Sequence, residues 1–159
     1  MQKLAIALIA LGAVAVGVLF LTRGPQARLA GEITEVRTLE VEPEASVAFV
    51  NFRIENITAH PFVAYDRRLE LIDAQGDRRI GTLVLAPDLQ DLFKYFPDLG
   101  GMKDEPLLHE GRFEPGERRG ALMAARFEIP VASLEGRQQL KIRLVDGANR
   151  PTEILEHPE

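Results

Sequence analysis

The segment ASVAFVNFRIEN, residues 45–56, most narrows what this chain can build. Ala48, Val50, Phe52 and Ile54 fall on one side of a period-two repeat, with Val47, Phe49, Asn51 and Arg53 on the other. That pattern predicts a strand covered on at least one face, and such a strand needs neighbours to form a stable sheet.

The same period returns along the chain. FVAYDRRLELID leads through Ala74-Gln75-Gly76-Asp77 into RRIGTLVL, and a Gly-Asp turn between alternating segments predicts a hairpin. In RFEPGERRGALMAARFEIP, residues 112–130, Pro115-Gly116 sets a turn with arginines at its solvated rim. Met123, Ala125, Phe127 and Ile129 then share one face, and Pro130 ends ladder pairing. QQLKIRLVD places Leu140, Ile142 and Leu144 on one face, with Lys141 and Arg143 on the other. With residues 32–41 included, about seven strands are expected.

One segment has helical period. In PDLQDLFKYF, residues 87–96, Leu89, Leu92, Phe93 and Phe96 recur at i, i+3, i+4 and i+7 and are expected to face inward, capping an open end of the structure. Pro87, Asp88 and Asp91 suit the start of a helix. The predicted fold is all-β: an immunoglobulin-like sandwich with one short inserted helix, preceded by an N-terminal transmembrane helix.

That preceding segment is the uncharged run Leu4 to Leu21, led by Lys3 and followed by Arg23. Eighteen residues at the helical rise span ~27 Å, close to the thickness of a hydrocarbon core. A cleaved export signal has a shorter apolar core, so the run reads first as an uncleaved signal anchor over 1–23, with a removed signal cut at Ala13-Val14-Ala15 or Ala15-Val16-Gly17 as the alternative. Positive charges before and after it nearly balance, and the short positive lead favours a body outside the cytoplasm. Residues 24–31 read as a linker, 32–146 as the sandwich and 147–159 as a C-terminal tail. These features predict a single-pass protein of a bacterial inner membrane, held through residues 4–21, with its body facing the periplasm or the exterior.

The strand LELIDAQGDRRIG and the later RFEPGERRGALMAARFEIP resemble segments of immunoglobulin-like domains of unknown function in bacterial exported proteins. These are similar to secreted immunoprotective antigens. The resemblance covers roughly residues 47–146 and implies architecture and export, with no shared activity and no catalytic residues. It departs from the common pattern in lacking a lipidated cysteine and in carrying the insertion 87–111.

Chemistry is sparse. The chain has no cysteine, and neither Ser46 nor Ser133 sits in a nucleophile elbow, so no catalytic residue is assigned and no enzyme is expected. Lys3 and Arg23 precede the body and all 24 acidic residues lie within it. The body therefore carries 17 basic residues against 24 acidic ones, net −7, with no footprint for nucleic acid. His60, Met102, His109 and Met123 are soft or borderline ligands whose spacing matches no metal site; Asp73 and Asp77, or Asp98, Asp104 and Glu105, are the carboxylates a calcium ion could use, but DAQGD lacks the full calcium-loop pattern. No metal or cofactor is expected. Asn56-Ile57-Thr58 reads as turn chemistry.

The insertion is the candidate binding element, because long loops on a rigid sandwich are where binding usually resides. If Leu89, Leu92, Phe93 and Phe96 turn inward, Asp88, Asp91, Lys94 and Tyr95 face a partner, another envelope protein. The alternative is an exported domain that binds a small ligand or a metal.

Overall fold

The computed structural model describes residues 29–156, which form a mostly antiparallel β structure with one ten-residue helix. Two four-stranded sheets carry it. The first has the order β1-β2-β8-β6, from β1 (Leu29–Glu42), β2 (Ala45–Asn56), β8 (Arg118–Phe127) and β6 (Thr82–Leu83). The second is β10-β9-β4-β5, from β10 (Pro151–Leu155), β9 (Gln139–Val145), β4 (Asp66–Ile72) and β5 (Arg78–Ile80). A small ribbon pairs β3 (Phe62–Ala64) with β7 (Gly111–Phe113). The all-β class expected from the alternation holds.

The main core lies between the sheets. The first contributes Val50, Phe52, Ile54, Met123 and Phe127, and the second answers with Leu69, Leu71, Leu140, Ile142 and Leu144. Each lies on the face that period two assigns it, so burial fixes the register of β2, β8 and β9.

Ten strands are present among the described residues where about seven were expected. The run 62–72 divides at Tyr65, whose N–H leaves the β3 direction to donate to Val145 O at 2.9 Å. The run 78–83 divides at Gly81, where the chain passes from the second sheet to the first. A Cβ there would lie 2.7 Å from Ala125 Cβ and 2.8 Å from the Phe127 ring, so the corner has room only for glycine.

The third extra strand is β10. It pairs with β9 from Pro151↔Val145 to Leu155↔Lys141, so residues 151–155 of the expected tail form a strand. Asp146 makes the connection, its Oδ1 accepting from Ala148 N and Arg150 N at 2.9 Å each. The expected linker is also shorter than 24–31, because β1 begins at Leu29 opposite Asn56. The anchor run 4–21 lies outside the described residues. Among the described residues no helix is long and apolar enough to cross a membrane.

The turns follow their sequence signals. Asp73 Oδ1 accepts from Gln75 N and Asp77 N, and Gly76 takes φ +89°, closing the β4–β5 hairpin. Gly116, at φ +74° after Pro115, sits in the turn into β8 that Glu117 N–H closes on Glu114 O at 3.0 Å, and its own N–H ties the turn to Asn56 O at 2.8 Å. A five-residue helix not expected from sequence, α2 (Val131–Glu135), follows Pro130; its Leu134 is buried in the main core.

Candidate functional site

The helix α1 (Ala86–Tyr95) does not cap an open end of the structure. It lies on the outer face of the β1-β2-β8-β6 sheet and makes a second core there: Leu89 packs with Val47, Phe49, Leu122 and Ala124, and partly buried Leu92 and Phe93 close around them. This explains why β2 is apolar on both faces. Phe93 meets Phe49 edge to face at 5.3 Å, and the Arg37 guanidinium lies 5.0 Å from the Phe93 ring centre.

Leu89, Leu92 and Phe93 thus turn inward as the helical period requires, whereas Phe96 does not and is 40% exposed. Phe96 is the C-cap, at φ −118° and ψ 78°, so its side chain leaves the helical phase that the i+7 spacing assumed. The four residues chosen as the partner-facing set, Asp88, Asp91, Lys94 and Tyr95, all lie at the surface. Tyr95 is 70% exposed, and Lys94 Nζ sits 5.7 Å from its ring centre.

Beyond α1 a 3-10 turn, Pro97–Leu99, leads to Gly100 at φ +71° and a return segment through residues 101–110. A polar network fastens this return to the sheet. Arg37 Nη1 donates to Leu99 O at 2.6 Å and to Gly101 O at 3.1 Å, while Nη2 donates to Asn51 Oδ1 at 2.8 Å. Asn51 Nδ2 in turn donates to Asp104 Oδ2 at 2.6 Å. Lys103 Nζ donates to Glu35 Oε1 at 2.7 Å, and that hydrogen bond, aided by the nearby Arg37 charge, holds the Glu35 carboxyl below its usual range. Leu107 N–H then donates to Leu122 O, and Leu122 N–H to Glu105 O, both at 2.9 Å, so the return completes the free edge of β8.

The insertion is therefore held by an apolar face and by backbone-directed polar contacts, a combination that fixes its position while leaving its outer surface free. Arg37 was not singled out in the sequence, and Asp104 was weighed there only as a calcium ligand. The available signal was Asn51, a hydrogen-bonding amide next in line on the β2 face that carries Val47 and Phe49.

The remaining candidates are not drawn together. Met123 is core, His60 lies in the loop after β2 and His109 lies in the return segment. Among the described residues no three His, Asp or Glu side chains are grouped to hold a metal. Ser46 Oγ donates to Ile129 O at 2.9 Å, which makes it a buried brace. Asn56 is likewise a brace: its Nδ2 donates to His60 O and Phe113 O, and its Oδ1 accepts from Thr58, the turn chemistry expected there.

No protein-family model matches the chain, and no curated protein matches it. Among solved structures it is similar to one described as the X-ray structure of Northeast Structural Genomics Consortium target SoR45, at 11% identity and a TM-score of 0.33. That match covers 84% of this chain and 83% of the other.

Proposed function

We propose that this chain is an exported, membrane-tethered immunoglobulin-like module without enzymatic activity, which binds another envelope protein through its insertion. What supports the immunoglobulin-like assignment is strand order. With β1, β2, β4, β5, β6, β8, β9 and β10 taken as A, B, C, C′, D, E, F and G, the two sheets read A-B-E-D and G-F-C-C′. The inter-sheet disulfide and tryptophan of antibody domains have no counterpart, since the chain contains neither residue type. The tether rests on the run 4–21, in a bacterial inner membrane with the body on the periplasmic or outer side.

The observation that carries the binding role is the two-sided character of α1: one face is locked to Phe49 and Arg37, and the other presents Tyr95 beside Lys94, Asp88 and Asp91. A pre-positioned aromatic loses little freedom when a partner covers it. The placement also suits a tethered module. Leu29 pairs with Asn56 at one end of β2, whereas α1 packs over Val47 and Phe49, up to ~30 Å along the strand by the rise per residue. The proposed binding face thus lies at the end of β2 away from Leu29.

The test is crosslinking and capture from membranes. Changing Lys94 and Tyr95 together to alanine is expected to remove the captured partner and leave the melting temperature unchanged. Undiminished capture would move the site to a sheet edge.

A further inference from the structure

Three loops meet at the end of the body where β1 begins. Leu29 pairs with Asn56, so β1 starts beside the loop 57–61, and Asn56 N–H donates to Glu117 O at 2.9 Å, which brings the turn before β8 to the same place. The β9–β10 turn completes this end. β10 starts at Pro151, and three residues on Ile154 lies against Gly31, where a Cβ would come 2.7 Å from Ile154 Cδ1.

Two large apolar side chains are left exposed here. Ile57, which follows the partner of Leu29, is 60% exposed, and Tyr65 is 50% exposed. Tyr65 is held in place: its N–H donates to Val145 O at 2.9 Å, and its ring covers Gly147, where a Cβ would come 2.7 Å from the ring. Ala59, Pro61 and Pro115 are exposed in the same loops. A tyrosine, apolar in its body and polar at its tip, is suited to the boundary between lipid and water.

The charges of this end are compensated. Glu32, Glu55, Asp66, Glu114, Glu117 and Asp146 each have an arginine within 4.0 Å. The insertion differs, since residues 86–111 hold six carboxylates and two lysines, a net of −4 where the whole chain is −5. An anionic bilayer therefore repels the insertion and not the end that carries Ile57.

Chain length is what brings a bilayer to this end. Seven residues, 22–28, connect the run 4–21 to Leu29, and seven residues extend no more than ~25 Å. With the run in the membrane, the loops around Leu29 stay within that reach of the lipid. A tether this short makes their contact with lipid intramolecular, at an effective concentration of ~mM, so two apolar side chains suffice where a free protein would need a larger patch.

We infer that these loops rest on the bilayer that holds the tether, with Ile57 and Tyr65 entering its interfacial layer. The partner is a lipid surface. This rests on the tether proposed above and adds an orientation, in which the body stands on its β1 end and carries α1 away from the lipid.

The experiment uses the full-length chain reconstituted into vesicles of phosphatidylethanolamine with a minority of phosphatidylglycerol. Ala59→Cys, between Ile57 and Pro61, or Tyr95→Cys, on α1, carries a fluorophore, and the chain has no other cysteine. Lipids with a spin label near the headgroup quench what lies at the bilayer surface, and flotation after a carbonate wash reads the tether separately. The label at position 59 is expected to be quenched and the label at position 95 not. Ile57→Ser with Tyr65→Ser in the Ala59→Cys chain should lower the docked-to-free ratio at least ~tenfold, because two apolar side chains leave the interface. Ile57→Ser alone, at an exposed position, should lower it ~threefold with the melting temperature unchanged. Raising salt to ~0.5 M should leave the quenching at position 59 unchanged, as expected for apolar insertion of a charge-compensated face. A chain that floats but shows equal quenching at the two positions, serine variants quenched like the parent, or quenching lost in salt would each overturn the inference and leave the tether standing. A chain that does not float would overturn the tether and the inference with it.

Discussion

Removing the Phe93 ring should detach the insertion without dissolving the two-sheet body. Truncation of a fully buried phenylalanine costs ~3–5 kcal/mol, and because Phe93 is half-buried its share is ~2 kcal/mol. Loss of the edge contact with Phe49 adds ~1 kcal/mol. Arg37 keeps its bonds to Leu99 O and Asn51 and loses only the ring it faces, ~0.5 kcal/mol. The total of ~3.5 kcal/mol is a ~400-fold change in an opening equilibrium. It should be local, since α1 rests on the outer core, separate from the core between the sheets. Hydrogen exchange followed by mass spectrometry on the full chain reads this directly. In Phe93→Ala the amides of Leu89 and Phe96, which bond to Leu85 O and Leu92 O, should exchange up to ~400-fold faster, with the β2–β8 ladder nearly unchanged. Unchanged exchange in α1, or an equal rise across both sheets, would refute the two-core account.

Phe127 lies in the inter-sheet core against the Gly81 corner, so Phe127→Ala should cost the whole body ~3–5 kcal/mol by chemical denaturation; a variant as stable as the parent would contradict the assigned core. Glu70 is covered by Arg78 and Lys141, and its hydrogen bonds, Arg78 first, hold its carboxyl below the usual 4.5. Its contribution is therefore present above about pH 4.5 and lost as the pH falls through the lowered folded value; Glu70→Gln should flatten that acid limb in urea titrations and cost ~1–2 kcal/mol at pH 7. An acid limb identical to the parent's would exclude Glu70 as its source.

The body was legible where burial is one-sided. In β9, Leu140, Ile142 and Leu144 alternate with Lys141 and Arg143, and the strand lies as that pattern demands. The outer core was only half legible: Val47 and Phe49 announced a cover on the second face of β2, and the period of α1 named the side chains that make it, but nothing local joined the two. Phe96 misled because helical phase stops at the cap. β10 carries few apolar residues beyond Ile154; the Asp146-Gly147 turn before it was its usable signal. Tyr65 and Gly81 break their strands for tertiary reasons that period two does not encode.

The exposed set Asp88, Asp91, Lys94 and Tyr95 was readable because each lies outside the Leu89, Leu92 and Phe93 stripe of a short helix. The Arg37–Asn51–Asp104 network was not, since its members come from three distant segments and meet only once the sheet and the return segment are built.

The chain contains no cysteine, so single cysteines report on it without background. Tyr95→Cys and Leu89→Cys, each treated with a membrane-impermeant maleimide in intact cells with a permeabilised outer membrane, test export and the two-faced helix in one measurement. The account predicts rapid labelling at position 95 and none at position 89 until the protein is denatured. Equal labelling of the two positions would contradict the seating of α1 on the sheet, and labelling at position 95 only after lysis would place the body on the cytoplasmic side.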